Sequence, residues 1–127
     1  MDSNDFMGFD IDWFAIDKDG NIGIFSSAGE LAIPLSAAIH HDQHRMISKQ
    51  FDLPNFGSPG IWNDYVTYGL FVYDYKIYGG PYQKQASPSR LMEALLRSRI
   101  LQLKDLPVID KFFALEDSVE IPTLKFP

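Results

Sequence analysis

Asp12-Trp13-Phe14-Ala15-Ile16-Asp17-Lys18-Asp19-Gly20-Asn21-Ile22-Gly23-Ile24-Phe25 is two apolar runs joined by a polar turn, and its reading decides how the fold begins. Asp, Gly and Asn turn back on their own backbone or take positive φ more readily than other residues, while Trp, Phe and Ile suit a pleated, half-buried surface. The stretch predicts a β-hairpin, with strands over residues 10–17 and 21–27 and Ser26-Ser27-Ala28-Gly29 ending the pair.

Beyond the hairpin the pattern turns helical. Pro34 or Ser36 can open a helix running to Gln50, with Leu35, Ala38, Ile39 and Met46 on one face and Asp42 inconsistently in their midst. Residues 52–60 are rich in Pro, Gly and Asn and read as loop. Residues 65–68 and 70–78 are aromatic and β-branched and predict two further strands, closed by Gly79-Gly80-Pro81. Ser87 and Pro88 then start a helix to Leu103, in which Leu91, Met92, Leu95, Leu96, Ile100 and Leu103 recur at helical spacing. A short helix fits residues 107–115, and Ser118-Val119-Glu120-Ile121 alternates like an edge strand before Pro122. The order β-β-α-β-β-α-(α)-β predicts an α+β fold, with an antiparallel or mixed sheet of five strands packed by two main helices.

A length of 127 residues fits one domain, 1–127, burying roughly 65 to 70% of the surface its unfolded chain exposes. The 46% hydrophobic and 14% aromatic content is far from compositions that stay disordered. Cysteine is absent, which excludes disulfides and thiolate metal sites. The start Met1-Asp2-Ser3-Asn4-Asp5-Phe6 lacks the features of a signal peptide, and no run matches the roughly 18 to 20 apolar residues of a membrane span. A cytoplasmic protein without a membrane partner is the expectation.

Net charge is −6 and unevenly spread: residues 1–75 hold eleven acidic and three basic side chains, residues 76–127 six and eight. Such an acidic half repels phosphate, so nucleic acid is not an expected partner and a basic protein is. The group Arg90, Arg97 and Arg99 reads as a solvated helix face or as partners for acidic residues.

Asp17-Lys18-Asp19-Gly20 has the carboxylates and glycine of a calcium loop, but placing Gly20 sixth puts Ala15 first and Ser26 twelfth, where acidic ligands are required. It reads as a hairpin turn. His40 and His44 are four apart, the helical spacing of two zinc ligands, yet nothing in the sequence supplies a third. They stay weak metal candidates beside a polar face titrating near neutrality, and no cofactor is expected. No phosphate loop or activated nucleophile is present; Gly57-Ser58-Pro59-Gly60 lacks the spacing of a nucleophile elbow.

All six tyrosines fall between residues 65 and 82, after Trp62 and among Asp64, Asp74 and Lys76. Tyrosine serves both sheet packing and protein recognition, so the cluster is either core or a partner face. On the second reading Trp62, Asp64, Tyr65, Tyr68, Asp74 and Tyr75 form the partner-binding set.

The run Asp12-Trp13-Phe14-Ala15-Ile16-Asp17 with Asp19-Gly20-Asn21 and the strand after it resembles the opening of small bacterial proteins of the uncharacterised or toxin-immunity-like kind. The resemblance implies a compact acidic protein that neutralises a toxin by covering its active site, and it carries no residue-level site. The expected function is thus a non-enzymatic protein-binding module. Its alternatives are a small-molecule site or enzyme with a pocket between sheet and helix, using Asp42 and the histidines, and a homodimeric structural subunit.

Overall fold

A computed structural model describes residues 10–124. Its elements are β1 (Asp12–Ile16), β2 (Ile22–Ser26), α1 (Leu35–Ile39), α2 (His41–Ser48), α3 (Ile61–Val66), β3 (Phe71–Asp74), β4 (Tyr82–Ala86), α4 (Ala94–Leu101) and β5 (Ser118–Val119). They form an α+β fold around one mixed sheet of strand order β1-β2-β3-β4-β5, in which β2 and β3 run parallel and the other neighbours antiparallel. Among the described residues no helix is long and apolar enough to cross a membrane.

The hairpin forms as its residues dictate, with Asp12 opposite Ser26 and Ile16 opposite Ile22, and Gly20 at φ +81° in the turn. Side chains alternate across the pleat, but here both faces are apolar. Trp13, Ala15, Phe25, Phe71 and Tyr73 enter one core; Phe14, Ile22, Ile24 and Val72 enter the other. A central strand covered on both faces reads as a continuous apolar run, which is the character of the hairpin sequence.

Several elements differ from the sequence reading. The helix expected from Pro34 to Gln50 breaks at His40 (φ −105°, ψ 26°), and the break carries the chain from one side of the sheet to the other. Ala37 and Ala38 of α1 join the Trp13 core, whereas Ile47 of α2 joins the Phe14 core. The break resets the helical phase, so Asp42 is solvent-exposed and the inconsistency it posed disappears, while Leu35, Ile39 and Met46 face outward. Residues 65–68 are not a strand: Tyr65 lies in α3, packed on the Phe14 core with Phe51. The strand predicted over 70–78 ends at Asp74, and its partner is β4, whose polar Gln83-Lys84-Gln85 carries little hydrophobic signal. Residues 87–93 are irregular rather than helical. Met92 is pressed on Gly69, where a Cβ would stand 2.7 Å from its backbone, and helix begins only at Ala94.

Residues 107–119 form no helix but a strap around the sheet. Residues 107–111 run along the outer edge of β1, where Ile16 N–H donates to Pro107 O (3.0 Å), Ile109 N–H to Ile16 O (2.9 Å) and Lys18 N–H to Lys111 O (3.1 Å). Phe113 then crosses the Trp13 face, and residues 117–119 pair with β4. The unpaired backbone groups of an edge strand outweigh the weak helical propensity of residues 107–115. Gly23 is what lets Phe113 approach, since a Cβ there would lie 3.1 Å from its ring.

Candidate functional site

Because β2 and β3 are parallel, both finish at the same end of the sheet, the end at which ligands gather in open sheets with parallel strands. The register aligns Asp12 with Ser26 and Ser26 with Asp74, so three polar residues stand in a row across three strands. Their parity is that of Phe14, Ile24 and Val72, and they rise on the face that α3 covers. From α3, Tyr65 brings its hydroxyl to the Asp12 carboxylate. Ser26 Oγ donates to Asp12 Oδ1 at 2.8 Å, and Asp10, beside them, accepts the Ala28 N–H at 3.0 Å.

Among the described residues no ion pair reaches this end of the sheet. Among the described residues the ion pairs are Lys18–Asp110, His40–Asp105, His41–Asp42 and Lys84–Asp117, and none involves Asp10, Asp12 or Asp74. Burial, and then the charge of Asp10, lift Asp12 from 3.8 to about 6 against the opposing bonds from Ser26 and Tyr65. Burial also raises Asp74, with Asp10 adding to it and the Tyr75 N–H and Lys76 pulling the other way. The Tyr65 hydroxyl is held protonated by burial and by Asp12, Asp10 and Asp64, and so remains a donor. Chemically the cluster can accept a cationic head group or hold a proton near neutral pH.

Two residues of the expected partner-binding set, Tyr65 and Asp74, come together here. The other four go elsewhere. Asp64 is buried and accepts both the backbone N–H and the side-chain amide of Asn55 at 2.8 Å, fixing the loop before α3. Tyr75 lies on the opposite face, ring to ring with Tyr82 at 5.0 Å. Tyr68 stacks on Phe51, binds the Asp52 backbone and, with Arg90 and Arg99, lines a depression of about 420 Å³. Trp62 packs, half-buried, on the Phe14 core. Of the six tyrosines, Tyr65, Tyr73, Tyr75 and Tyr82 are buried; the Tyr73 hydroxyl donates to Glu116 O (2.7 Å) and the Tyr82 hydroxyl to Ala32 O (2.7 Å). Both aromatic sheet faces are thus covered by the chain itself.

The spacing of Asp10 and Asp12 in the sequence makes them candidate neighbours but shows neither a cleft nor a raised pKa, and Ser26 carries no signal as a site residue. The hairpin register alone places Ser26 opposite Asp12, since a turn over residues 17–21 fixes every pair behind it. The parallel pairing that adds Asp74 sets it beside Ser26 across 48 residues of chain, with a helical crossover between and nothing local to announce it.

His40 and His44 do not converge. His40 Nε2 lies 3.7 Å from Asp105, while His44 is fully buried with Nδ1 accepting the Phe14 N–H at 2.9 Å. Among the described residues no group of three His, Asp or Glu side chains is placed to hold a metal ion. Asp17 spends its oxygens on backbone donors in the turn and strap. Arg97 donates to Gly20 O (2.6 Å) and Arg99 to Gln50 (2.7 Å), both as structural clamps. No family model, curated protein or solved structure matches the chain.

Proposed function

We propose that the protein is a non-enzymatic binding module of the toxin-immunity kind, and that Asp10, Asp12 and Asp74, with Tyr65, receive a Lys or Arg side chain from a basic partner. One observation carries this reading: three carboxylates meet at one sheet end with no cation among the described residues in an ion pair with them. Acidic groups steer a basic surface into encounter, and a guanidinium or ammonium among them offsets both the burial and the Asp10 repulsion that lift Asp12. The partner's basic site is then occluded. The cluster also costs stability, as functional sites do: a carboxylate with a raised folded-state pKa destabilises the fold progressively as pH rises from 3.8 to about 6, and by a constant amount above that.

A variant carrying Asp10→Asn, Asp12→Asn and Asp74→Asn separates the two effects. It should be about 1–2 kcal/mol more stable than the parent at pH 7 in urea unfolding, with the gain vanishing near pH 4. It should also fail to retain the basic protein that the tagged parent captures from its own cell lysate at about 150 mM salt. A variant that retains the same partner, or a parent that captures no basic protein, would refute the reading.

A further inference from the structure

The outer edge of β1 is closed by two different means. Ile16 and Lys18 pair with the backbone of residues 107–111, but the Phe14 N–H, on the same edge, meets no backbone acceptor among the described residues. Its N–H donates to a side chain, His44 Nδ1 of α2, at 2.9 Å. The imidazole is fully buried and lies nearly parallel to the Phe14 ring, at 6.0 Å and 16°. Because Nδ1 accepts, the single proton of the neutral ring sits on Nε2, and that buried atom has no hydrogen-bond partner among the described residues. A neutral acceptor thus holds helix to strand in an apolar setting.

We propose that His44 is a proton-operated latch, which docks α2 on the outer edge of β1 while neutral and releases that edge when a proton is added to Nδ1. A protonated Nδ1 is a donor and faces the Phe14 N–H, also a donor, so the bond cannot survive. Among the described residues no carboxylate acts on His44 to offset the added charge. The ionisable groups acting on the ring are His40, at the α1–α2 junction, and His41 of α2, both cationic when protonated, while the Asp105 carboxylate lies at His40. Ile47 of α2 and Phe51 share the same apolar core. Burial first, then His40 and His41, push His44 down from 6.5 to about 4. A group depressed in the folded state holds the latch fully above the ordinary histidine range and loses it as pH falls from 6.5 toward 4. The released strand presents a free N–H at a sheet edge, the template on which another strand pairs.

The test compares the parent with His44→Asn, whose side-chain oxygen can replace Nδ1 as acceptor without titrating, and with His44→Phe, which fills the space without an acceptor. Ring-nitrogen NMR of the parent should show the Nε2–H tautomer at pH 7 and a midpoint near 4. The Phe14 amide opening constant, corrected for intrinsic exchange and divided by that of His44→Asn, should rise about 50-fold between pH 7 and pH 4.5. In His44→Phe that amide should exchange faster than in the parent at pH 7. A ring titrating near 6.5, the opposite tautomer, or a ratio that changes less than about threefold overturns the latch. If either variant fails to fold, the parent's tautomer and titration decide alone.

Discussion

Replacing Asp17 by alanine is expected to cost about 3–5 kcal/mol and to detach the C-terminal strap from the hairpin. The carboxylate is buried, and its two oxygens serve two separate pieces of chain. Oδ1 accepts the backbone N–H of Asp19 (2.9 Å) and of Asn21 (2.8 Å), which holds the turn in shape. Oδ2 accepts the Phe113 N–H at 2.8 Å and, more weakly, the Asn21 side-chain amide at 3.4 Å. Alanine removes the acceptor and leaves the Phe113 N–H buried without a partner, and each such orphan costs about 1–3 kcal/mol. Asp17→Asn should be milder, because the amide oxygen can still accept while its nitrogen faces a donor. Urea midpoints measure the loss. Hydrogen exchange at Phe113 shows where it falls: that amide should lose protection before those of β2 and β3. Uniform loss across the sheet would place the role of Asp17 in the hairpin alone.

Phe113→Ala carries the second large effect, about 3–5 kcal/mol, the range for removing a buried phenylalanine. The ring is fully buried, with its centroid 5.8 Å from Phe25, 5.9 Å from Phe71 and 5.5 Å from Tyr73. It sits over Gly23, which offers no side chain to fill the gap its removal would leave. Its carbonyl also accepts from Lys84 Nζ at 2.9 Å, so the same residue ties the strap to β4. Phe113→Leu should cost less, since it keeps much of the volume. The double variant Asp17→Ala with Phe113→Ala should cost less than the two single losses together, because each change frees the same strap. Full additivity in a double-mutant cycle would show that the hairpin and the aromatic face hold the strap independently.

What the sequence makes legible follows the range of the interactions involved. The hairpin is read correctly because every determinant of it lies within residues 12–26. The mixed α+β class is legible for the same reason, as strands and helices declare themselves by local period. The helix break at His40 is not, because no breaker stands there; the chain turns to reach both faces of the sheet. Strand β4 is hidden by its polar residues, which are half-buried between β3 and the distant β5. The strap is hidden likewise, since it answers backbone groups of β1 that lie some ninety residues earlier, as Lys18 and Lys111 illustrate.

The candidate site is legible in fragments. Tyrosine density suggests either core or surface, and the tertiary structure puts Tyr73, Tyr75 and Tyr82 in one core and Tyr65 in the other. Asp64 carries the same charge as Asp74 but is consumed by Asn55. The sequence signals an excess of carboxylates, and only the sheet register tells which of them meet.

The measurement that bears most directly on the binding reading is a ¹³C NMR titration of the Asp12 carboxyl, alone and with excess penta-arginine at about 150 mM salt. In the free protein Asp12 should titrate near 6, and the peptide should move it down toward 3.8 while shifting the signals of Asp10, Ser26 and Asp74. An Asp12 that titrates at 3.8 without peptide, or that stays unmoved while the peptide perturbs other surfaces, would contradict an acidic sheet end built to receive a cation.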